Sequence, residues 1–208
     1  MTPRWTGDGS RYGLTWWGQS WSLDVESETP GLTTIDGKVG PLLAIDGLIA
    51  TGRRARGIFG RSCLISHEVR FDRVEAVYEP EAWNSLQVRA SWWPRDEGTV
   101  DLEVQIQAFT VDELREVEVI VASVPILGRP FFLQIAHPDD LSRRPVDVEL
   151  QTESRDGIVR CRLFGHDLEK GVVLRGRVRG TFLDQRPTPD MLNRLVGAFV
   201  DQPLPLGT

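Results

Sequence analysis

The feature of this sequence that most constrains its fold is an alternation of apolar and polar side chains between residues 64 and 183. It is clearest in residues 99–110, where apolar side chains at the even positions from Val100 to Ala108 alternate with the polar or charged side chains from Asp101 to Gln107. Because successive side chains of a strand point to opposite faces of a sheet, this pattern predicts strands with one packed face and one polar face. The chain is therefore predicted to be all-β.

The number of such segments indicates how the strands are layered. About ten to twelve strands are predicted, and so many strands cannot lie in one open sheet without exposing an apolar face. Two sheets packed face to face are expected, which predicts an antiparallel β-sandwich. The exception is one short helix over residues 188–200, where Thr188 can cap the N-terminus and Pro189 suits the first turn. Its apolar side chains are predicted to form one packing stripe, made of Met191, Leu192, Leu195, Val196 and Phe199.

The domain organisation is predicted to be simple. The 208 residues contain no internal repeat, no low-complexity tract and no linker long enough to divide domains, so we expect a single domain over residues 1–208. Residues 1–30 carry four tryptophans among Gly, Ser and Thr and are predicted to form an irregular N-terminal arm laid over the sheet or over a second copy of the chain.

Three consecutive segments, Leu86 to Trp93, Thr99 to Thr110 and Val117 to Val121, predict an antiparallel meander with a shared polar face. The first two are joined by residues 94–98, which have the length and the Pro/Gly content of a hairpin turn. Upstream, residues 64–78 predict one long strand with a bend near Arg73, where the alternation changes phase.

Charge and cysteine content exclude several function classes. The net charge is −6 and the pI is near 5.2, which argues against nucleic-acid binding because phosphate contacts need a clustered positive surface. The sequence contains no run of 18 apolar residues, the length needed to span a membrane, and no secretory signal is recognised, so a cytoplasmic protein is expected. Cys63 and Cys161 lack metal-ligand spacing and are expected to be free thiols, and no cofactor-binding motif is present.

The polar face of the predicted meander is the candidate ligand site. It combines amides, carboxylates and a guanidinium group, which can bond sugar hydroxyls, with a tryptophan that can stack on the apolar side of a pyranose. His137, at the end of a predicted strand, could add an imidazole. A solvated outer sheet face would carry a similar set of side chains, and that alternative stays open. The predicted ligand-binding residues are Arg89, Trp93, Glu103, Gln105, Gln107 and His137.

Arginines form a second pattern. Arg175, Arg177 and Arg179 share one face of a predicted strand, and Arg160 and Arg162 share a face of the preceding one. Asp147 and Glu149 project together from the strand before that, predicted over residues 146–152, so the charges are expected to match across strands. Like charges aligned in this way need acids, water or an anionic ligand nearby. The pattern fits either an outward, salt-bridged surface or an arginine-lined site for a sugar or a carboxylate.

The long alternating strands and the predicted hairpin over residues 164–175 resemble the galactose mutarotase-like supersandwich superfamily, over residues 40–183. This resemblance implies a broad concave sheet that binds carbohydrate, with Arg89, Trp93, Gln105 and His137 projecting from it. Epimerases of the superfamily use a histidine acid and a glutamate base beside a substrate-binding arginine. Here Asn84 is not followed by the expected histidine, so the resemblance implies a non-catalytic member.

Three function hypotheses follow. The first is a non-catalytic carbohydrate-binding protein that uses the polar face. The second is an interaction module in which the N-terminal tryptophans or a bare sheet face bind another protein or form a homodimer. The third is a sugar epimerase or another carbohydrate-active enzyme.

Overall fold

The computed structural model describes residues 4–7, 9–83, 85–96, 98–110, 114–124, 126, 130–142 and 158–202. Within these ranges the chain forms thirteen strands in three antiparallel sheets and one α-helix, which confirms the all-β sandwich class. The elements are β1 (Arg11–Trp16), β2 (Gln19–Asp24), β3 (Leu32–Thr34), β4 (Ala44–Ala50), β5 (Arg53–Arg56), β6 (Leu64–Arg70), β7 (Arg73–Tyr78), β8 (Leu86–Pro94), β9 (Thr99–Ala108), β10 (Leu114–Ser123), β11 (Phe131–Ala136), β12 (Val159–Leu168), β13 (Val173–Leu183) and α1 (Pro189–Val200).

The core lies between the apolar faces of the two larger sheets. The six-stranded sheet has the order β11-β13-β9-β8-β7-β6, and the four-stranded sheet has the order β12-β10-β4-β5. Val104 of the first sheet and Val119 of the second are fully buried members of one apolar cluster. The indole Nε1 of Trp92 donates a 3.0 Å hydrogen bond to the carbonyl oxygen of Leu43, which satisfies a buried polar atom between the layers.

The predicted three-stranded meander is wrong in its third strand. β8 and β9 do pair as an antiparallel hairpin, but β10 belongs to the other sheet, where it lies between β4 and β12. The second neighbour of β9 is β13. Alternation identifies the faces of a strand without identifying its lateral partner, and about a third of consecutive strands are not neighbours.

Residues 64–78 are also not one bent strand. The change of phase near Arg73 marks a hairpin turn at Phe71 and Asp72 between β6 and β7. A phase change accompanies a bulge and a tight turn alike, so periodicity alone does not separate them.

The predicted hairpin over residues 164–175 is wrong as well. β12 continues to Leu168, past the positive-φ pair Phe164 and Gly165, and lies in the four-stranded sheet. β13 lies in the six-stranded sheet, so residues 169–172 connect the two layers instead of two paired strands.

The described part of residues 1–30 is more regular than predicted. β1 and β2 form an antiparallel hairpin and β3 pairs with β2, which gives a three-stranded sheet in place of an irregular arm. Trp16 and Trp21 are fully buried and pack on Phe182 of β13, with ring centroids 4.5 and 5.7 Å away. Burial of these rings against the six-stranded sheet supplies the apolar contact that holds the three-stranded sheet in place.

The C-terminal helix is confirmed. The Thr188 hydroxyl accepts a hydrogen bond from the backbone N–H of Met191 at the N-terminus of α1, as the capping pattern predicts. Phe199 is the only fully buried side chain of the helix, and Leu192 of the predicted apolar stripe is exposed. The helix is therefore anchored mainly near its C-terminal end.

The strand predicted at residues 146–152, with Asp147 and Glu149, lies outside the described residues. Among the described residues, no helix combines the length and the apolar character that crossing a bilayer demands.

Candidate functional site

The strand register brings the predicted site residues of β8 and β9 to the same side of the six-stranded sheet. Arg89 lies directly opposite Gln105, and Trp93 lies opposite Asp101. β13 contributes a third row, in which Arg175 is opposite Gln105. Directly paired residues share a face, so these side chains form one surface, which we call the polar face. The sequence correctly predicted that Arg89 and Gln105 share a side.

Ion pairs occupy the centre of the polar face. Asp101 is only 3% exposed and receives two hydrogen bonds from Arg179, from Nε to Oδ1 at 2.6 Å and from Nη2 to Oδ2 at 2.8 Å. Arg95 adds a third, at 2.7 Å to Oδ2. Glu103 accepts hydrogen bonds from Arg175 at 2.6 Å and from Gln105 at 2.8 Å. These carboxylates therefore link β9 to β13 and to the turn that follows β8.

Arginine side chains already cover the ring of Trp93. The guanidinium carbon of Arg95 lies 3.5 Å from the ring centroid, and that of Arg73 lies 5.3 Å from it. The indole Nε1 donates to Asp72 at 2.7 Å. The cavity beside this ring has a volume of about 10 Å³, which is room for one water molecule. A sugar could stack on Trp93 only after displacing an arginine.

Helix α1 covers another part of the polar face. The Phe199 ring lies 5.2 Å from the guanidinium carbon of Arg177 and 4.6 Å from that of Arg179. Both arginines also bond Gln202, through its carbonyl oxygen at 3.1 Å and its side-chain oxygen at 2.6 Å. Aromatic contact and hydrogen bonds thus hold the end of the helix on the arginines.

His137 lies at the same covered end. Its backbone N–H donates to the carbonyl oxygen of Arg177 at 3.1 Å, and its ring contacts Phe199 edge-on with centroids 6.0 Å apart. Its Nδ1 accepts a 3.4 Å hydrogen bond from the backbone N–H of Asp139. Nearby, burial raises the pKa of Asp140, whose carboxylate accepts a hydrogen bond from the backbone N–H of Arg177. These contacts hold His137 between β13 and helix α1.

The other half of the polar face is open. Arg89 and Gln107 are half-buried, and their side chains make no hydrogen bond or ion pair with any described residue. Gln105, which lies directly opposite Arg89, bonds only Glu103 among the described groups. We call Arg89, Gln105 and Gln107 the open strip. It retains three of the six predicted ligand-binding residues.

The arginines of β12 have acidic partners from other strands. Arg160 bonds Asp46 of β4 at 3.1 Å, and Arg162 bonds Glu118 of β10 at 3.1 Å. The charge matching inferred for these arginines therefore exists, although its acids come from the neighbouring strands of the four-stranded sheet. No lateral order was known from the sequence, so these partners could not be named.

Neither cysteine is placed for metal or nucleophilic chemistry. Both thiols are free, and burial raises the pKa of Cys63 to about 11 and also raises that of Cys161. In the described part of the chain, no three His, Cys, Asp or Glu side chains come together in a way that would hold a metal ion.

Sequence reasoning missed the residues that close the site. Arg95 was assigned to a turn and Phe199 to a packing stripe, yet these two cover Trp93 and the arginines of β13. The one available signal was the arginine two positions after Trp93 in a short turn, which allows a guanidinium to fold back on the ring.

Comparisons with known proteins find little. No protein-family model matches the sequence, and no curated protein matches it. A solved structure with a similar arrangement is heparan sulfate lyase HepC from Pedobacter heparinus, with 7% sequence identity and a TM-score of 0.43 over 91% of this chain. The chain spans 37% of the length of that lyase. The resemblance to mutarotase-like proteins therefore stays a prediction.

Proposed function

We propose that this protein is a non-catalytic carbohydrate-binding protein and that it binds its ligand on the open strip. The observation that carries the proposal is the pair of unpartnered polar side chains, Arg89 and Gln107, on a sheet face where the neighbouring charged groups are paired. A half-buried guanidinium without an acceptor is poised to bond a ligand.

The spacing of the open strip suits a sugar. Adjacent strands are about 4.8 Å apart and same-face residues of one strand are about 7 Å apart. Two amides and a guanidinium at these separations can bond hydroxyl groups around a pyranose ring, and strands hold them more rigidly than loops would. Arg89, Gln105 and Gln107 are therefore the ligand-binding residues of this proposal.

Charge indicates the kind of sugar. Glu103 is neutralised by Arg175 at 2.6 Å, whereas Arg89 has no acid partner among the described residues. The open strip thus presents one uncompensated positive charge, and guanidinium groups bind carboxylates in a planar, two-bond geometry. A sugar that carries a carboxylate, such as a uronic acid, is favoured over a neutral one.

The test is a calorimetric titration of the whole protein with trigalacturonate and, separately, with maltotriose. Trigalacturonate is expected to bind more tightly. Arg89→Gln should weaken that binding by about tenfold or more, since hydrogen bonds to charged groups contribute about 1.5–3 kcal/mol. Arg11→Gln is the matched control, because Arg11 lies on another sheet and pairs with Asp24.

Two results would reject the carbohydrate proposal. One is no heat of binding with either oligosaccharide. The other is equal binding of trigalacturonate by the parent protein and by Arg89→Gln.

A second candidate function, self-association, is favoured by strand β6. It forms an edge of the six-stranded sheet, and Ile65 and Val69 are 57% and 43% exposed. Phe71, in the adjoining turn, is 87% exposed with a φ of 60°, a conformation that favours glycine. An exposed apolar edge strand is a template for pairing with another strand. Of the N-terminal tryptophans, Trp16 and Trp21 do not serve this role, because they are core residues.

The sequence of β6 suits pairing with a second copy of itself. In an antiparallel register centred on His67, Ile65 lies opposite Val69 of the second copy, and Ser66 lies opposite Glu68 of the second copy. The dimer then contains two apolar pairs of Ile65 and Val69, and no like charges are directly opposed.

Sedimentation velocity between 1 and about 200 μM tests this candidate. The expected species is a dimer of the 23.4 kDa chain. Val69→Lys should shift it to monomer because a lysine on an edge opposes pairing. Val172→Lys is the control, since Val172 is 40% exposed and lies outside β6. A monomer at every concentration, or equal effects of the two substitutions, would reject self-association through β6.

A further inference from the structure

A cluster of arginines lies on the outer face of the four-stranded sheet, away from the polar face. Arg56 of β5 and Arg162 of β12 lie in one row across the sheet. The residues between them in this row are Gly47 of β4 and Ile120 of β10. Arg54 lies two residues along β5 on the same side as Arg56. We call Arg54, Arg56, Arg160 and Arg162 the arginine patch.

Among the described residues, two acids on this face pair with three of the four arginines. Asp46 is shared by Arg160, at 3.1 Å, and Arg56, at 3.6 Å. Glu118 pairs with Arg162 at 3.1 Å. Arg54 is the one member of the patch that has no carboxylate partner among the described residues.

Arg54 is the member of the patch that most needs an anion. Its side chain makes no hydrogen bond to a described residue and has no carboxylate within ion-pair distance among them. Partial burial lowers its pKa, the neighbouring Arg56, Arg162 and Arg160 lower it further, and the carboxylate of Asp46 opposes this shift. The other three guanidinium groups are thus near enough to repel it, and such crowding is relieved by an anion placed among them.

Arg162 adds an unused donor. Its Nη1 bonds Glu118, while its Nε is buried and has no acceptor in the described part of the chain. A buried N–H without an acceptor is uncommon in folded proteins. The unpaired guanidinium of Arg54 and the unused donor of Arg162 are independent observations, and an oxygen-rich acceptor placed among the arginines would satisfy both.

We propose that the arginine patch binds a tetrahedral oxyanion, a phosphate or sulfate group. Guanidinium groups on neighbouring strands can direct several N–H donors at such a group, and the planar two-bond geometry of arginine matches its oxygens. Arg54 and Arg56 are exposed and form the entrance, and Arg160 and Arg162 are the more buried donors. The site is separate from the open strip, which lies on the other sheet.

The experiment is a two-dimensional NMR titration of the whole protein with inorganic phosphate, sulfate and chloride at constant ionic strength. Phosphate or sulfate should produce saturable shifts in β5 and β12, and chloride should not. Arg54→Gln should weaken binding by about tenfold or more. Parallel titrations with glucose 6-phosphate and glucose 6-sulfate then show which ester the patch prefers.

Arg53→Gln is the matched control. It removes the same charge from the adjacent position of β5, where the side chain points to the other face and lies 5.7 Å from the Trp83 ring. Arg53→Gln should leave phosphate binding unchanged, and Arg89→Gln should as well. Shifts that chloride reproduces, no saturation with phosphate or sulfate, or equal losses in Arg54→Gln and Arg53→Gln would overturn the proposal.

Discussion

Replacing Phe199 with alanine should release helix α1 from the polar face without unfolding the sandwich. Phe199 is the only fully buried side chain of the helix, and it packs on Arg177, Arg179 and His137. The helix makes its main contacts near its C-terminal end, so removal of this ring should act locally. The expected product is a protein with intact sheets and an undocked helix.

The magnitude follows from what the ring contacts. Complete burial of a phenylalanine side chain contributes about 1.5–3 kcal/mol. The two guanidinium contacts, at 4.6 and 5.2 Å, add about 0.5–1 kcal/mol each. A loss of about 3 kcal/mol corresponds to a change of about two orders of magnitude in the equilibrium between docked and undocked helix.

Native-state hydrogen exchange measures this directly. In Phe199→Ala the amides of α1 should lose about two orders of magnitude of protection, while those of β8 and β9 keep theirs. Leu192→Ala is the control on the same helix, because Leu192 is 37% exposed. Equal loss of protection in the helix and the sheets, or no change in the helix, would refute the reasoning.

Three further predictions concern stability and reactivity. Asp101→Asn should lower the free energy of unfolding, measured in urea, by about 3 kcal/mol, because it breaks a buried charge pair. Asp24→Asn, at an exposed pair, should lower it by less than about 1 kcal/mol. Equal effects of the two substitutions would contradict this contrast. Thr188→Ala should cost about 1 kcal/mol of helix stability through loss of the cap, seen as faster exchange in the first turn of α1; unchanged exchange would count against the cap. Because burial raises the pKa of Cys63 to about 11, the thiolate fraction of Cys63 in the native protein should be small at pH 8 and grow as the pH rises toward 11. Ellman's reagent should therefore react slowly with the native protein and rapidly with the protein unfolded in urea. Rapid reaction of the native protein at pH 8 would refute this.

The strands that carry the site could be predicted because their signal is local. The alternation in residues 99–108 requires only that one side of the strand be buried, and the structure buries Val100, Leu102 and Ile106 completely. The same argument placed Arg89 and Gln105 on one face. The cap at Thr188 is local too, since it involves residues three positions apart.

The partners of these strands could not be predicted in the same way. β10 and β12 alternate over only part of their length, and they belong to the other sheet; many strand orders bury the same apolar faces, so alternation could not select the partners. The covering of Trp93 by Arg95 and of Arg179 by Phe199 depends on where a turn and a helix come to rest.

The amino-acid order by itself determined that this chain forms strands, which side chains share a side of each strand, and where its helix begins. Each of these depends on neighbours a few positions away. Only the tertiary structure decided which strands are adjacent, which acids meet which arginines, and which half of the polar face stays open. Those outcomes depend on contacts between residues as far apart as Asp101 and Arg179, whose pairing forms only when distant strands lie side by side.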